Sequence, residues 1–109
     1  MFAGNTSRLD DPQAAFEGNE LVVRPDGRVL KRCMGAPKGI VELEWPEKGI
    51  RFRKKATYVR GGHYPMDGCN VAVFVGDHNR MGELETFGVE QPIIPGQTIE
   101  NTEDWELSV

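Results

Sequence analysis

Apolar and polar positions alternate with a period of two along much of the chain, the spacing that sends successive side chains to opposite faces of a β-strand. The clearest case is Ile40-Val41-Glu42-Leu43-Glu44-Trp45, followed by Pro46-Glu47-Lys48-Gly49 and the returning run Ile50-Arg51-Phe52-Arg53. This predicts a hairpin. Val41, Leu43, Trp45, Ile50 and Phe52 share an inward face, while Glu42, Glu44, Arg51 and Arg53 share the other, where opposite charges meet across the ladder. Leu21-Val22-Val23, the turn Arg24-Pro25-Asp26-Gly27 and Val29-Leu30 predict an earlier hairpin around a Pro-Asp-Gly reversal. Val71-Ala72-Val73-Phe74-Val75 has no polar interruption, so it predicts a strand covered on both faces and hence a second layer. Glu83-Leu84-Glu85-Thr86-Phe87 and the last seven residues alternate again, with Ile94-Pro95-Gly96-Gln97 as a turn between them. No amphipathic helix and no internal repeat is found.

Residues 1–20 are polar. Asp10-Asp11-Pro12 could open a helix through Gln13-Ala14-Ala15-Phe16, but the segment is too short to hold one alone and reads as a polar N-terminal arm. Residues 21–109 then form a single β-sandwich domain. The 13 Gly and seven Pro among 109 residues suit a succession of short strands and turns. With 39% hydrophobic and 28% charged residues, the composition lies outside the disordered class. The longest apolar run is far below the roughly 20 residues that cross a bilayer, and Met1-Phe2-Ala3-Gly4-Asn5 lacks a charged region followed by an apolar one. A cytoplasmic protein with no membrane partner is expected.

Charge is uneven along the chain. Residues 1–23 hold one Arg against four acids, residues 24–60 hold eleven Lys and Arg against four acids, and residues 61–109 hold one Arg against nine acids. A basic run such as Arg51-Phe52-Arg53-Lys54-Lys55 can bind phosphates, but in a sheet opposite-sign blocks pair across neighbouring strands, so no nucleic-acid partner is expected. Cys33 and Cys69 belong to no C-x-x-C pair and read as buried free thiols, or as a single disulfide if the protein is exported. His63, Asp67, Asp77 and His78 lack a recognised ligand spacing, so neither a metal nor another cofactor is expected.

From residue 64 to residue 107 four pieces follow in order: Tyr64-Pro65-Met66-Asp67-Gly68-Cys69-Asn70-Val71, Gly82-Glu83-Leu84-Glu85-Thr86-Phe87-Gly88, Ile94-Pro95-Gly96-Gln97 and Thr102-Glu103-Asp104-Trp105-Glu106-Leu107. In order and spacing they resemble the C-terminal segment of bacterial proteins related to aldose 1-epimerases, of the galactose-mutarotase-like superfamily. Met66 and Val89 depart from the pattern, where a small or acidic residue and a Pro are expected. The resemblance covers about two fifths of the chain. It implies an all-β antiparallel β-sandwich related to the C-terminal part of a supersandwich of well over twice this length. It also implies that Glu85 occupies the position of the carboxylate that removes the anomeric proton. The histidine acid would come from an earlier part of that fold, which is absent here.

Opening a hemiacetal needs one group to take a proton and another to donate one. A lone Glu85 supplies half of that requirement, and His63 and His78 both read as surface-loop residues. The expected function is therefore carbohydrate binding by a protein of mutarotase-like ancestry, without catalysis in isolation, on a face around Glu85, Glu83 and Tyr64. His63 and Arg53 are further ligand-binding candidates. Two alternatives stand beside it: an aldose 1-epimerase-like isomerase whose site is completed by another chain, and a structural or protein-interaction β module. Trp45 and Trp105, in alternating strands, are expected in the core, whereas Tyr64, in a Gly/Pro-rich turn, is expected to be exposed. A half-sandwich leaves an open edge and an uncovered apolar face, so a homo-oligomer is expected.

Overall fold

The computed structural model describes the backbone of Phe2 and Ala3 and residues 10–109; residue 1 and residues 4–9 of the predicted arm lie outside the described residues. Among the described residues nine strands run in chain order: β1 Phe2–Ala3, β2 Ala14–Glu17, β3 Glu20–Val23, β4 Leu30–Met34, β5 Ile40–Trp45, β6 Ile50–Ala56, β7 Val71–Val75, β8 Gly82–Thr86 and β9 Glu103–Ser108. They form an all-β antiparallel sandwich: a four-stranded sheet ordered β1-β4-β7-β8, a three-stranded sheet ordered β5-β6-β9, and the β2-β3 hairpin. No long helix occurs among the described residues. The helix-like turn Pro65–Gly68 has Met66 and Asp67 in left-handed backbone conformations.

The β5–β6 hairpin takes the predicted register. Glu42 pairs with Arg53, Leu43 with Phe52, Glu44 with Arg51 and Trp45 with Ile50. Arg51 donates to Glu44 at 2.8 Å and Arg53 donates to Glu42, so the acidic and basic rows neutralise each other across the ladder. Lys31 of β4 pairs likewise with Glu85 of β8, and Lys54 of β6 lies 3.7 Å from Glu103 of β9. The basic middle block thus meets its acidic neighbours in space. Gly49 closes the turn at φ 63°, a left-handed conformation in which a side chain is strained.

The earlier hairpin differs from expectation. β3 pairs with β2, through a Gly18-Asn19 turn, and β4 pairs with β1 and β7. The Pro-Asp-Gly segment is instead a docking loop: Gly27 receives a hydrogen bond from the His78 N–H at 2.6 Å, and its own N–H donates to Asn79 at 3.1 Å. Gln13, only 3% exposed, ties β2 to the same loop by accepting from the Asp26 N–H and donating to the Arg28 carbonyl. These contacts make Gln13-Ala14-Ala15-Phe16, within the predicted arm, the entry to a strand paired with β3.

β7 lies between β4 and β8 in the four-stranded sheet; of the run predicted to be covered on both faces, Val71 and Ala72 are buried and Val73, Phe74 and Val75 are half-buried. Along β4, β7 and β8 the alternation gives two faces. Thr86 and Leu84 share the face that meets the three-stranded sheet, where Thr86 bonds Glu103 and Lys54 bonds the Leu84 carbonyl. Cys33, Ala72 and Glu85 share the other face, on which Cys33, Cys69 and Ala72 form a small core with Phe87 against it. Both thiols are free and buried, and burial pushes both above the usual thiol range, so they remain protonated near neutrality.

Candidate functional site

β8 carries the predicted carboxylate. Glu85 sits opposite Ala72 of β7, and its Oε1 accepts from Lys31 Nζ at 2.5 Å, with the Glu85 side chain 29% exposed. Glu83, two residues earlier on the same face, is exposed. The other predicted site residues are not brought to this pair. Arg53 lies on the outer face of the three-stranded sheet, bound to Glu42. His63 is held by Glu90 at 3.1 Å and His78 by Asp77 at 3.0 Å. Both histidines are surface-loop residues, as predicted.

Tyr64 corrects an expectation. It is 5% exposed, its hydroxyl accepts from the Val59 N–H at 2.8 Å, and its ring stacks on Tyr58 at 5.4 Å. A tyrosine in a turn is drawn inward when its polar tip finds a backbone partner, and this one leaves no surface for a ligand. Trp45 and Trp105 correct the opposite expectation, being 48% and 67% exposed. Trp45 of β5 and Trp105 of β9 stand on the same face of the three-stranded sheet as Val41 and Phe52, but the four-stranded sheet covers only the far end of that face, where Val41 and Ala56 are buried.

A different cluster gathers where β8 meets β9. Thr86 Oγ1 donates to Glu103 Oε2 at 2.7 Å, Trp105 Nε1 donates to Glu103 Oε1 at 3.1 Å, and Asn101 Nδ2 donates to Thr86 Oγ1 at 2.9 Å. Lys54 Nζ, within 3.7 Å of Glu103, also donates to the Leu84 carbonyl at 2.8 Å. These bonds clasp one sheet to the other. The Thr86 hydroxyl first, then the Trp105 N–H and the Lys54 ammonium, hold the Glu103 carboxyl below its usual 4.5. A carboxyl whose folded value is depressed stabilises the fold fully above its unfolded value and loses that contribution as pH falls through the folded one. Glu103→Gln is therefore expected to lower stability by about 1 kcal/mol at pH 7. The difference should vanish at acid pH. Urea unfolding at pH 7 and pH 3 checks this, and a deficit unchanged at pH 3 would contradict it.

Beside this clasp lies an open hollow of about 410 Å³, lined by Pro65, Thr86, Phe87, Gly88, Val89, Glu90, Ile99, Glu100 and Asn101. It begins one residue beyond Glu85 along the strand, and Glu85 does not line it. A second hollow, about 290 Å³, lies at the other end of the three-stranded sheet, around Glu44, Ile50 and Arg51. Residue spacing did not single out Glu90, Glu100 or Asn101, since all three fall in stretches without regular structure. Among the described residues no group of three His, Cys, Asp or Glu is placed to hold a metal ion, and no helix is long and apolar enough to cross a membrane.

No family model, no curated protein and no solved structure matches this chain. Fold and site together define an antiparallel β-sandwich whose two sheets are joined by a polar clasp beside an open hollow.

Proposed function

We propose that this chain is a carbohydrate-binding protein of mutarotase-like ancestry, without catalysis in isolation, and that its ligand occupies the hollow between residues 86–90 and 99–101. One observation carries the reading: the polar residues Glu90, Glu100 and Asn101 and the apolar residues Phe87 and Ile99 line the same hollow. Sugars ask for that mixture, apolar surface against the C–H face of the ring and polar groups at its hydroxyls. Two carboxylates repel an acidic sugar, so the ligand class is a neutral sugar, for which neutral hexoses serve as probes.

Catalysis by the isolated chain is not favoured, because an acid must accompany the base. Glu85 has an ammonium as its close neighbour, and the two histidines are engaged with Glu90 and Asp77. The isomerase alternative therefore requires a second chain to bring the acid.

Titration with neutral and acidic monosaccharides, followed by ¹H–¹⁵N NMR, tests the proposal. Neutral hexoses should shift the Gly88, Val89 and Asn101 amides, uronates should shift them much less, and Asn101→Ala should weaken binding about tenfold. Silence across the panel would sink the reading. In a mutarotation assay the wild-type chain should run at the buffer rate; acceleration abolished by Glu85→Gln would replace this reading with the isomerase.

A further inference from the structure

One face of the three-stranded sheet has a covered half and an open half. Alternation places Val41, Leu43 and Trp45 of β5, Ile50, Phe52, Lys54 and Ala56 of β6, and Glu103, Trp105 and Leu107 of β9 on it together. Phe52 and Trp105 confirm the shared side by an edge-to-face contact at 5.6 Å. β8 overlies the half with Lys54, Ala56 and Glu103. Beyond it Leu43 is 51%, Trp45 48%, Trp105 67% and Leu107 68% exposed.

A fully accessible large apolar side chain offers roughly 150–250 Å², so at these exposures the four leave about 500 Å² of apolar surface, and the fully exposed Val109 with Ile50 and Phe52 carries it to at least about 600 Å². That reaches the upper end of the largest patch on an ordinary monomer, about 300–600 Å². Doubling it gives about 1,200 Å², the lower bound of a specific protein interface.

We infer that the open half is the interface with a second copy of this chain. Two such faces pack as layers of a sandwich, about 10 Å apart. The overhanging four-stranded sheet dictates how: only an arrangement that exchanges the strand ends brings open half onto open half. Each three-stranded sheet is then covered along one half by its own chain and along the other by its partner. The contact is isologous, with the Phe52–Trp105 pair at its centre, and it closes at two copies. The outer face, with its Glu42–Arg53 and Glu44–Arg51 pairs, already has its charges matched and stays in water. This inference does not depend on what the hollow binds.

The chain has two tryptophans, and both lie on the open half, so their fluorescence reports the interface directly. Sedimentation velocity from 1 to 200 µM should show a species of twice the 12.2 kDa chain mass. Tryptophan emission should shift to the red over the dilution range in which that species dissociates. Leu107→Asp, which places a charge on the open half of each copy, should raise the dissociation constant by about 100-fold or more while leaving the far-UV circular dichroism unchanged. Leu43→Ser serves as the milder variant if Leu107→Asp unfolds. A wild-type monomer at 200 µM would overturn the inference, and so would a dimer unaffected by both substitutions. A monomer whose tryptophan emission shifts only on adding a soluble oligosaccharide would also overturn it, giving the face to a sugar chain.

Discussion

Replacing Gly39 by alanine is expected to destabilise the fold by about 3 kcal/mol or more, because it adds a steric collision to a strained backbone conformation. Gly39 has φ 66°, and an added Cβ would stand 1.9 Å from the carbonyl oxygen of Ala56. Neither party can yield cheaply: the Ala56 N–H donates to the Gly39 carbonyl at 2.9 Å, and the Gly39 N–H closes the turn onto Ala36 at 2.8 Å. The same peptide starts β5 and holds the end of β6, so a shift there disturbs the register of the three-stranded sheet. Gly49→Ala is the matched control. Gly49 has a similar φ of 63° but nothing within 4 Å of the added carbon, so only the left-handed penalty of about 1 kcal/mol applies. For a domain of this size about 1 kcal/mol moves the melting temperature by roughly 4–8 °C, so thermal unfolding should separate the two variants by roughly 10 °C or more. Equal losses would show that the collision is relieved by local movement.

Asn70→Ala should lower stability by about 2–3 kcal/mol. Asn70 is 4% exposed and grips the backbone of Ala36 on both sides of its Cα, accepting from the Ala36 N–H at 2.6 Å and donating to the Ala36 carbonyl at 2.8 Å. Its own backbone continues the seam, with its N–H bonded to the Met34 carbonyl and its carbonyl accepting from the Phe87 N–H. Truncation leaves a donor and an acceptor on the 35–38 loop without their partner. Asn70→Asp keeps the acceptor but sets a carboxylate against the Ala36 carbonyl, so most of the loss should remain. Denaturant unfolding of both variants decides the matter. A stability within about 0.5 kcal/mol of the wild type for Asn70→Ala would mean that water replaces the side chain.

The β5–β6 hairpin was readable from sequence because three local signals agree there: alternation, a Pro-to-Gly turn, and charges that match across the ladder. β4 was only partly readable. Its Lys31 and Arg32 break the apolar pattern, yet Arg32 is 1% exposed and its guanidinium donates to the Lys31 carbonyl at 2.9 Å. β2 was missed because Ala14-Ala15-Phe16-Glu17 holds no β-branched residue, and its strand conformation follows from pairing with Leu21-Val22-Val23. The carboxylate of Glu85 stands on the predicted strand, but its lysine neighbour comes from 54 residues away, a pairing that spacing does not encode. The tryptophans make the same point from the other side. Period two reports which face a side chain takes, and says nothing of whether another layer lies over that face.

The corner at Pro65–Gly68 carries a consequence in stereochemistry. Met66 and Asp67 adopt φ of 51° and 58°, values natural to the opposite hand of amino acid, and the Cys69 N–H closes the corner onto the Pro65 carbonyl at 2.9 Å. L-residues enter that region against a steric penalty of about 1–2 kcal/mol each. The wall that Pro65 lends to the hollow is thus held by a locally mirror-handed backbone, which D-enantiomers at positions 66 and 67 would fit without strain. Chemical synthesis of such a diastereomer would stiffen this corner while leaving every hydrogen bond around it in place.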